Sequence, residues 1–279
     1  MILESLLVLS VLAVILVFFY KQGVREFRIL QVDSIDKAQP LLSERSPIVV
    51  LPAPTAQNLW TRADLDARPS LAKSAFNGLP LKEAIQKPSF TLKTETAEML
   101  AEKSGVSIWA NQHLLPAFKT GSWWTPCLTA RTEVAIGAQG LRQTYGYTTL
   151  LMATEGAIQV SLLNESSNPY LPDGWEGKRL AKMTRNDAPF LPQIKFVDVI
   201  VRPGSALLIP PHWKVCWENL EPKETALTVL VEIHHPVSRA LYNMMRRQQR
   251  RAQKSQSQLQ LVSHLPHPRG NVLHPRLLQ

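Results

Sequence analysis

The segment Val197–Asn219 constrains the fold of this chain more than any other part of the sequence. Pro203 and Gly204 mark a tight turn between two short runs of aliphatic residues, and Pro210-Pro211 prevents a helix from following the second run. The next residues, HWKVCWEN, alternate polar and large apolar side chains, which is the period of a half-buried strand. The segment therefore predicts three short strands joined by tight turns.

This segment resembles the late strands of cupin-like Jumonji-C (JmjC) domains, which follow approximately the pattern PGD-x-LFIPxxWWHxV-x-N. Ile136–Thr144 (IGAQGLRQT) is similar to the family's approach to its first metal-binding strand, and Ser46–Leu51 resembles its opening strand. The resemblance covers residues 45–235. It implies a mainly β fold, a double-stranded β-helix (a cupin-like jelly roll) with flanking helices.

Active members of the family hold Fe(II) through a His-x-Asp/Glu pair and a later histidine, and 2-oxoglutarate chelates the iron. This sequence has no histidine between His113 and His212, and Val215 occupies the position of the later ligand. The chain is therefore interpreted as a degenerate member without Fe(II), 2-oxoglutarate or any other cofactor. Its predicted function is non-catalytic binding or scaffolding of an unknown protein partner.

An alternative is an atypical oxygenase with non-standard metal ligands. His212 is the weak candidate ligand, although its strand parity differs from that of Val215. His234 and His235 are adjacent in a strand, where neighbouring side chains point to opposite faces, so they are not expected to chelate as a pair.

A small carboxylate ligand could be held near the barrel mouth without a metal, because several polar and aromatic residues are expected there. The candidate pocket residues are Arg142, Thr144, Tyr147, Trp213 and Lys214.

The N-terminal run Ser5–Tyr20 carries no charge and is followed by Lys21, Arg25 and Arg28. As a helix it would measure about 24 Å, slightly less than the hydrocarbon core of a bilayer. The run lacks the basic start and the small-residue cleavage site of a signal peptide. It predicts a single-pass membrane anchor, with the positive flank placing the following domain in the cytosol.

The net charge of +9 is concentrated at the C-terminus, because residues 233–279 contain eight of the 31 Lys and Arg residues and none of the 22 Asp and Glu residues. Three interpretations are open: a solvated helix end, binding to anionic lipid, or, with no recognised motif to support it, binding to nucleic acid. The candidate surface residues are Arg246, Arg247, Arg250, Arg251 and Lys254.

These features divide the chain into an anchor (1–22), a stalk (23–44), the barrel (45–235), a basic helix (236–258) and a disordered tail (259–279). The two cysteines do not form a disulfide framework, which is consistent with a reducing compartment.

Two local predictions can be compared directly with a structure. Strands are expected at Tyr147–Met152 and Ala157–Leu163, paired through a turn at Glu155-Gly156. A helix is expected over Thr96–Lys103, with Gly105 ending it.

Overall fold

The computed structural model describes residues 2–21, 28–53, 60–72, 74–76, 78–86, 94–119, 127–172, 174–184, 186, 189–221, 224–240 and 242–244. The α-helices are α1 (Ile2–Lys21), α2 (Ile35–Leu41), α3 (Arg62–Asp66), α4 (Pro69–Ala72), α5 (Leu81–Gln86), α6 (Thr94–Lys103), α7 (Val106–Trp109) and α8 (Leu115–Phe118). The strands are β1 (Leu30–Val32), β2 (Ile48–Val50), β3 (Ala75–Phe76), β4 (Leu79–Pro80), β5 (Thr129–Ile136), β6 (Gln139–Gln143), β7 (Thr148–Glu155), β8 (Ile158–Leu163), β9 (Val197–Val201), β10 (Ala206–Ile209), β11 (Lys214–Asn219) and β12 (Leu227–His234). Short 3₁₀ turns lie at Leu42–Glu44, Glu165–Tyr170, Leu180–Lys182 and Leu191–Gln193, and a π-helical turn at Ala110–Leu114 joins α7 to α8. Backbone contacts divide the chain into two units, 1–239 and 240–279, and everything below concerns the first.

Strands β5 to β12 form a jelly roll. The larger sheet has the order β1-β2-β10-β7-β12-β5, and the smaller sheet has the order β6-β11-β8-β9. All pairings among these eight strands are antiparallel. Their order in the two sheets is the one that two interleaved Greek keys produce. Because helices pack against the larger sheet, the fold is mixed and sheet-rich.

The strand sequences explain how the two sheets close on each other. Alternate side chains point to one face of a strand, so each barrel strand contributes every second residue to the interior. Leu151, Leu207 and Leu230 from the larger sheet meet Val160 and Trp217 from the smaller sheet in this interior core. Each such large apolar side chain contributes about 1.5–3 kcal/mol when fully buried, so the interior is a major source of stability.

Helices cover the outer face of the larger sheet. Leu100 of α6 and Phe118 of α8 pack with Leu150 and Val231, which point outward from β7 and β12. Helix α6 has the predicted end, because Gly105 follows it with a φ of +82° that favours glycine. The predicted helix over Thr96–Lys103 is confirmed within Thr94–Lys103.

A long connection covers the outer face of the smaller sheet. Leu141, Leu163 and Cys216 form a small cluster there with Met183 and Ile194, which come from the connection between β8 and β9. The same connection continues the sheet beyond β6, because the amide of Gly177 donates to the carbonyl of Leu141 and the amide of Leu141 donates to that of Lys178, both at 2.8 Å.

The predicted pairing of the strands at 147–152 and 157–163 is wrong. Both strands exist, as β7 and β8, but β7 belongs to the larger sheet and β8 to the smaller one. The turn at Gly156, which has a φ of +72°, carries the chain from one sheet to the other. A jelly roll makes such crossings between consecutive strands, so a turn signal alone does not imply a hairpin.

The N-terminal run is helical, as α1, and its side chains at Leu6, Leu9 and Val14 are exposed. In the part of the chain that the structure describes, no helix combines the length and the apolar character needed to cross a membrane. This finding contradicts the single-pass anchor expected over 1–22, and with it the expected membrane location and cytosolic orientation of the domain.

Candidate functional site

Val215, which the sequence resemblance places at the position of the later metal ligand, lies on β11 where this strand pairs with β6. Arg142 on β6 is the register partner of Val215 on β11, and Val215 points into the barrel interior with no exposed surface. An isopropyl group has no lone pair for a metal, and a guanidinium is a permanent cation. The paired strands β6 and β11 therefore bring a positive charge and a hydrocarbon side by side at this place.

A group of charged side chains, which we call the barrel-mouth cluster, fills this end of the barrel. Its members are Arg131, Glu133, Arg142, Glu232 and His234. Arg142 donates to Glu133 from both terminal guanidinium nitrogens, Nη1 to Oε2 and Nη2 to Oε1, the latter at 3.1 Å. Arg131 donates from Nη1 to Oε2 of Glu232 at 2.7 Å and also contacts Glu133. Each carboxylate is thus held between two arginines, since Arg142 Nη2 also lies 3.7 Å from Glu232 Oε1.

Strand registry assembles the cluster. Arg131 on the edge strand β5 lies opposite Glu232 on β12, and Glu133 follows Arg131 by two residues on the same face. Arg142 reaches both carboxylates from β6 in the other sheet. The rim of the barrel is closed further by Glu98 of α6, whose Oε1 accepts from Arg131 Nε at 2.8 Å.

Burial makes the pairing within the cluster electrostatically strong. The side chains of Glu133 and Glu232 are 3% and 0% exposed. Burial by itself opposes ionisation of Glu133, but Arg142 and Arg131 outweigh it and hold its pKa below the ordinary value. Burial also opposes ionisation of Glu232, yet the hydrogen bond with His234 and the two arginines lower its pKa to about 2. Both carboxylates are therefore charged near neutral pH.

The two C-terminal histidines of β12 have separate partners. His234 Nε2 lies 3.4 Å from Glu232 Oε2, inside the barrel-mouth cluster. The neighbouring His235 instead begins the following helical turn, where its Nδ1 accepts from the amide of Ser238 at 3.1 Å. Burial, with His234 nearby, lowers the pKa of His235. The doublet does not act as one chelating pair, as expected from strand geometry.

The predicted pocket residues are separated by the sheet. Arg142 points into the barrel, whereas Lys214 lies on the outer face of the smaller sheet beneath the β8–β9 connection. Thr144 is a structural link, because its hydroxyl donates to the carbonyl of Pro210 at 2.7 Å and its amide donates to that of Trp213 at 2.9 Å. Trp213 packs in the interior core, and burial raises the pKa of Tyr147. These five residues do not form one pocket wall.

Lys214 is nevertheless unusual for a lysine, because only 2% of its surface is exposed. Its Nζ donates to Asn168 Oδ1 and lies 5.1 Å from the centre of the Trp175 ring. Burial lowers its pKa to about 8, against the opposing influence of Glu165 and Glu176. The ammonium group therefore attaches the β8–β9 connection to β11.

The weak metal candidate His212 lies at the corner before β11, with a φ of +69°, and its amide donates to the carbonyl of Thr144 at 2.8 Å. Across the described ranges of the chain, no three His, Cys, Asp or Glu side chains are grouped so that they could hold a metal ion. The donor set at the barrel mouth consequently does not fit the Fe(II) triad of the oxygenases.

The candidate basic residues Arg246, Arg247, Arg250, Arg251 and Lys254 lie outside the described residues. Lipid or nucleic-acid binding by this segment remains a prediction.

From the sequence, none of Arg131, Glu133 and Glu232 was assigned to a site. A signal was present, because charged residues spaced by two interrupt the otherwise apolar strands β5 (RTE) and β12 (EIH). Such spacing places both charges on one face of a strand.

Comparison with known proteins gives little further information. No family model matches the chain, and no curated protein matches it. Among solved structures, the chain is similar to the cupin domain of CENP-C from Drosophila melanogaster, at 13% identity and a TM-score of 0.23, over 36% of this chain and 57% of that domain's chain. The chain therefore spans little more than half of that relative. The strand order supports a cupin-like fold, and nothing here supports the JmjC branch in particular.

Proposed function

We propose that this chain is a non-catalytic cupin-like module that binds or scaffolds other molecules. The observation that carries the proposal is the barrel-mouth cluster, in which Arg131 and Arg142 occupy the space beside Glu133 and Glu232. In this arrangement the carboxylates that could attract a metal already have cationic partners.

The charges of the cluster oppose both components of an oxygenase site. Two unit charges 4 Å apart interact by about 4 kcal/mol at an effective dielectric constant near 20. The attraction of Glu133 and Glu232 for a divalent cation is therefore offset by comparable repulsion from the two guanidinium groups. A carboxylate co-substrate such as 2-oxoglutarate gains equally little, because the two arginines are matched by the two glutamates and by Glu98.

The cluster instead supports a structural role at the end of the barrel. It connects β5 and β12 of the larger sheet with β6 of the smaller sheet through buried, charge-assisted hydrogen bonds. A barrel closed in this way presents its outer surfaces for interaction. The expected action of the module is binding through those surfaces.

The proposal can be tested on the full-length chain purified without chelators. After anaerobic incubation with Fe(II), the metal that remains bound is measured by elemental analysis, and conversion of 2-oxoglutarate to succinate is followed under air. We expect metal far below one equivalent and no succinate above the protein-free rate.

If iron does bind, two variants show whether the barrel mouth holds it. If wild-type protein retains one equivalent of iron, and Glu232→Gln loses it while Glu218→Gln, a half-buried position outside the cluster, does not, the barrel mouth is a metal site. The non-catalytic proposal would then be abandoned.

A further inference from the structure

The smaller sheet ends in an edge strand, β9. This strand pairs with β8 in an unshifted antiparallel register, and among the residues that the structure describes no strand pairs with its other edge. Edge strands present unpaired backbone N–H and C=O groups, and proteins commonly protect them with proline, bulges or covering segments. Residues 197–201 contain no proline and no register shift. As far as the described residues show, the edge is therefore available for an additional strand.

The outward-facing side chains beside this edge are apolar at its centre and charged on each side. Ile200 is 51% exposed and Phe196 is 49% exposed, and both lie on the side of β9 that carries Asp198. Asp198 and Arg202 are two residues before and after Ile200 and are also exposed. A negative, an apolar and a positive side chain thus follow one another along the same face of the strand.

We propose that β9 pairs antiparallel with β9 of a second copy of this chain, with Ile200 on the two-fold axis. This register places Asp198 of each copy opposite Arg202 of the other, so two ion pairs flank an Ile200–Ile200 contact. On the inner face, Val199 lies opposite Val201 of the second copy. Pro203 ends the ladder because it has no N–H to donate.

The charge pattern selects this register over its neighbours. A pair centred on Asp198 would place two carboxylates opposite each other, which is destabilising. A pair centred on Val199 would oppose Asp198 to Ile200 and lose both ion pairs. Registers shifted by one residue would turn the inner-facing valines of one copy toward the outer face of the other.

The two-fold symmetry also identifies the partner as a second copy. An isologous interface uses the same surface on both subunits, so each contact must be complementary to itself. When a second strand runs antiparallel with Ile200 opposite Ile200, each Asp198 lies opposite an Arg202. The pattern is therefore complementary to itself. The resulting dimer would join two four-stranded sheets into one continuous sheet of eight strands.

A site-specific disulfide tests the geometry. Paired residues in an antiparallel ladder have Cα atoms about 4.5–5.5 Å apart, within the range of a disulfide. In a Cys127→Ser background, which removes the exposed native thiol, we expect mild oxidation of Ile200→Cys to give a covalent dimer. The full chain is used in non-ionic detergent, so that exposed side chains of α1 do not associate.

The matched control is Gln159→Cys, because Gln159 is exposed and is the register partner of Ile200 on β8. In the proposed dimer the two β9 strands lie between the two β8 strands. The cysteines introduced on β8 of each copy are then three strand spacings apart, about 14 Å, so we expect no disulfide. Equal cross-linking of both variants, or none in Ile200→Cys, would overturn the proposal.

A charge exchange tests the register independently. Asp198→Arg and Arg202→Asp should each weaken dimerisation about tenfold or more, measured by sedimentation, because each places like charges opposite each other. The double variant should return to within about threefold of the wild type. Asp198 also accepts hydrogen bonds from Ser161 and Gln159, and loss of these bonds cannot explain a recovery.

A wild-type chain that remains monomeric at every concentration, or a double variant no better than the single ones, contradicts the self-pairing. Neither outcome bears on the proposed non-catalytic function, which depends on the barrel mouth at β5, β6 and β12 and is tested by metal binding.

Discussion

Arg131 and Glu232 lie directly opposite each other on β5 and β12, and a 2.7 Å hydrogen bond joins Nη1 of the arginine to Oε2 of the glutamate. Glu232 is fully buried, and it is shared with Arg142 of the opposing sheet. The pair, together with Arg142, therefore links the two sheets at one end of the barrel.

We predict that Glu232→Gln destabilises the protein by about 3–5 kcal/mol, because it leaves two buried guanidinium groups with one carboxylate fewer. The free energy of unfolding is measured by urea denaturation. Glu218→Gln is the control, since Glu218 pairs with Arg179 at 3.5 Å and is 36% exposed. Loss of that pair should cost less than about 1 kcal/mol. Similar losses in the two variants would contradict a structural role for the cluster.

Stability should also decrease in acid. The pKa values of Glu133 and Glu232 are lower in the folded protein than their ordinary value of 4.5, so the unfolded chain binds protons first as the pH falls. The stabilisation by these groups is complete above pH 4.5 and is lost progressively toward pH 2, where Glu232 itself titrates in the fold. The midpoint of urea unfolding should follow this decrease.

The variant Glu133→Gln should show a smaller loss of stability between pH 4.5 and pH 2 than the wild type does. Asp33 provides a surface comparison, because its pair with Lys37 is exposed, with side chains 66% and 67% accessible. In Asp33→Asn, the loss of unfolding free energy between pH 4.5 and pH 2 should be nearly the same as in the wild type. If both variants reduce this loss equally, the acid sensitivity comes from surface charges and the prediction for Glu133 is wrong.

The sequence predicted the strands of the barrel better than its charged centre, and the reason is physical. Alternation in HWKVCWEN and the turn at Gly204 are local signals, and the three strands predicted in Val197–Asn219 appear as β9, β10 and β11. The contact between Arg131 and Glu232 joins residues 101 positions apart. Only the strand order brings them together, and no local pattern specifies that order.

The same reason explains two further differences. Lys214 and Arg142 were expected near one mouth, but they lie on opposite faces of the smaller sheet because their strands pair with Lys214 opposite Gln143 and Arg142 opposite Val215. The turn at Gly156 was interpreted as a hairpin, although Gly156 instead lies close to Ala226, the residue that precedes β12. In both cases the local chemistry was read correctly and the long-range pairing was unknown.

Lys214 should give the protein a second pH dependence, in the alkaline range. Its pKa is about 8 in the fold against 10.5 ordinarily, because burial disfavours the ammonium form. Between these values the unfolded chain binds more protons, so the contribution of Lys214 to stability should rise with pH. The difference in unfolding free energy between the wild type and Lys214→Met isolates this contribution, since Cys216 and Tyr147 titrate equally in both proteins. A difference that is constant from pH 8 to 10.5 would refute the assignment.

Gly140 on β6 should tolerate no side chain. A Cβ at this position would lie 2.0 Å from the carbonyl oxygen of Gly177, a backbone atom that cannot rotate away. Gly140→Ala should therefore displace the segment that hydrogen-bonds to Leu141 and expose the edge of β6. We expect faster amide hydrogen exchange at Leu141 and Gly177, together with a loss of stability.

Gly174→Ala is the matched control in the same connection, because a Cβ there meets no atom within 4 Å and only its φ of +66° disfavours alanine. An alanine in the left-handed region costs about 1–2 kcal/mol. That variant should therefore be mildly destabilised, while the amides of β6 stay protected from hydrogen exchange. If Gly140→Ala behaves in the same way as Gly174→Ala, the close approach of the two backbones is not a feature of the protein in solution.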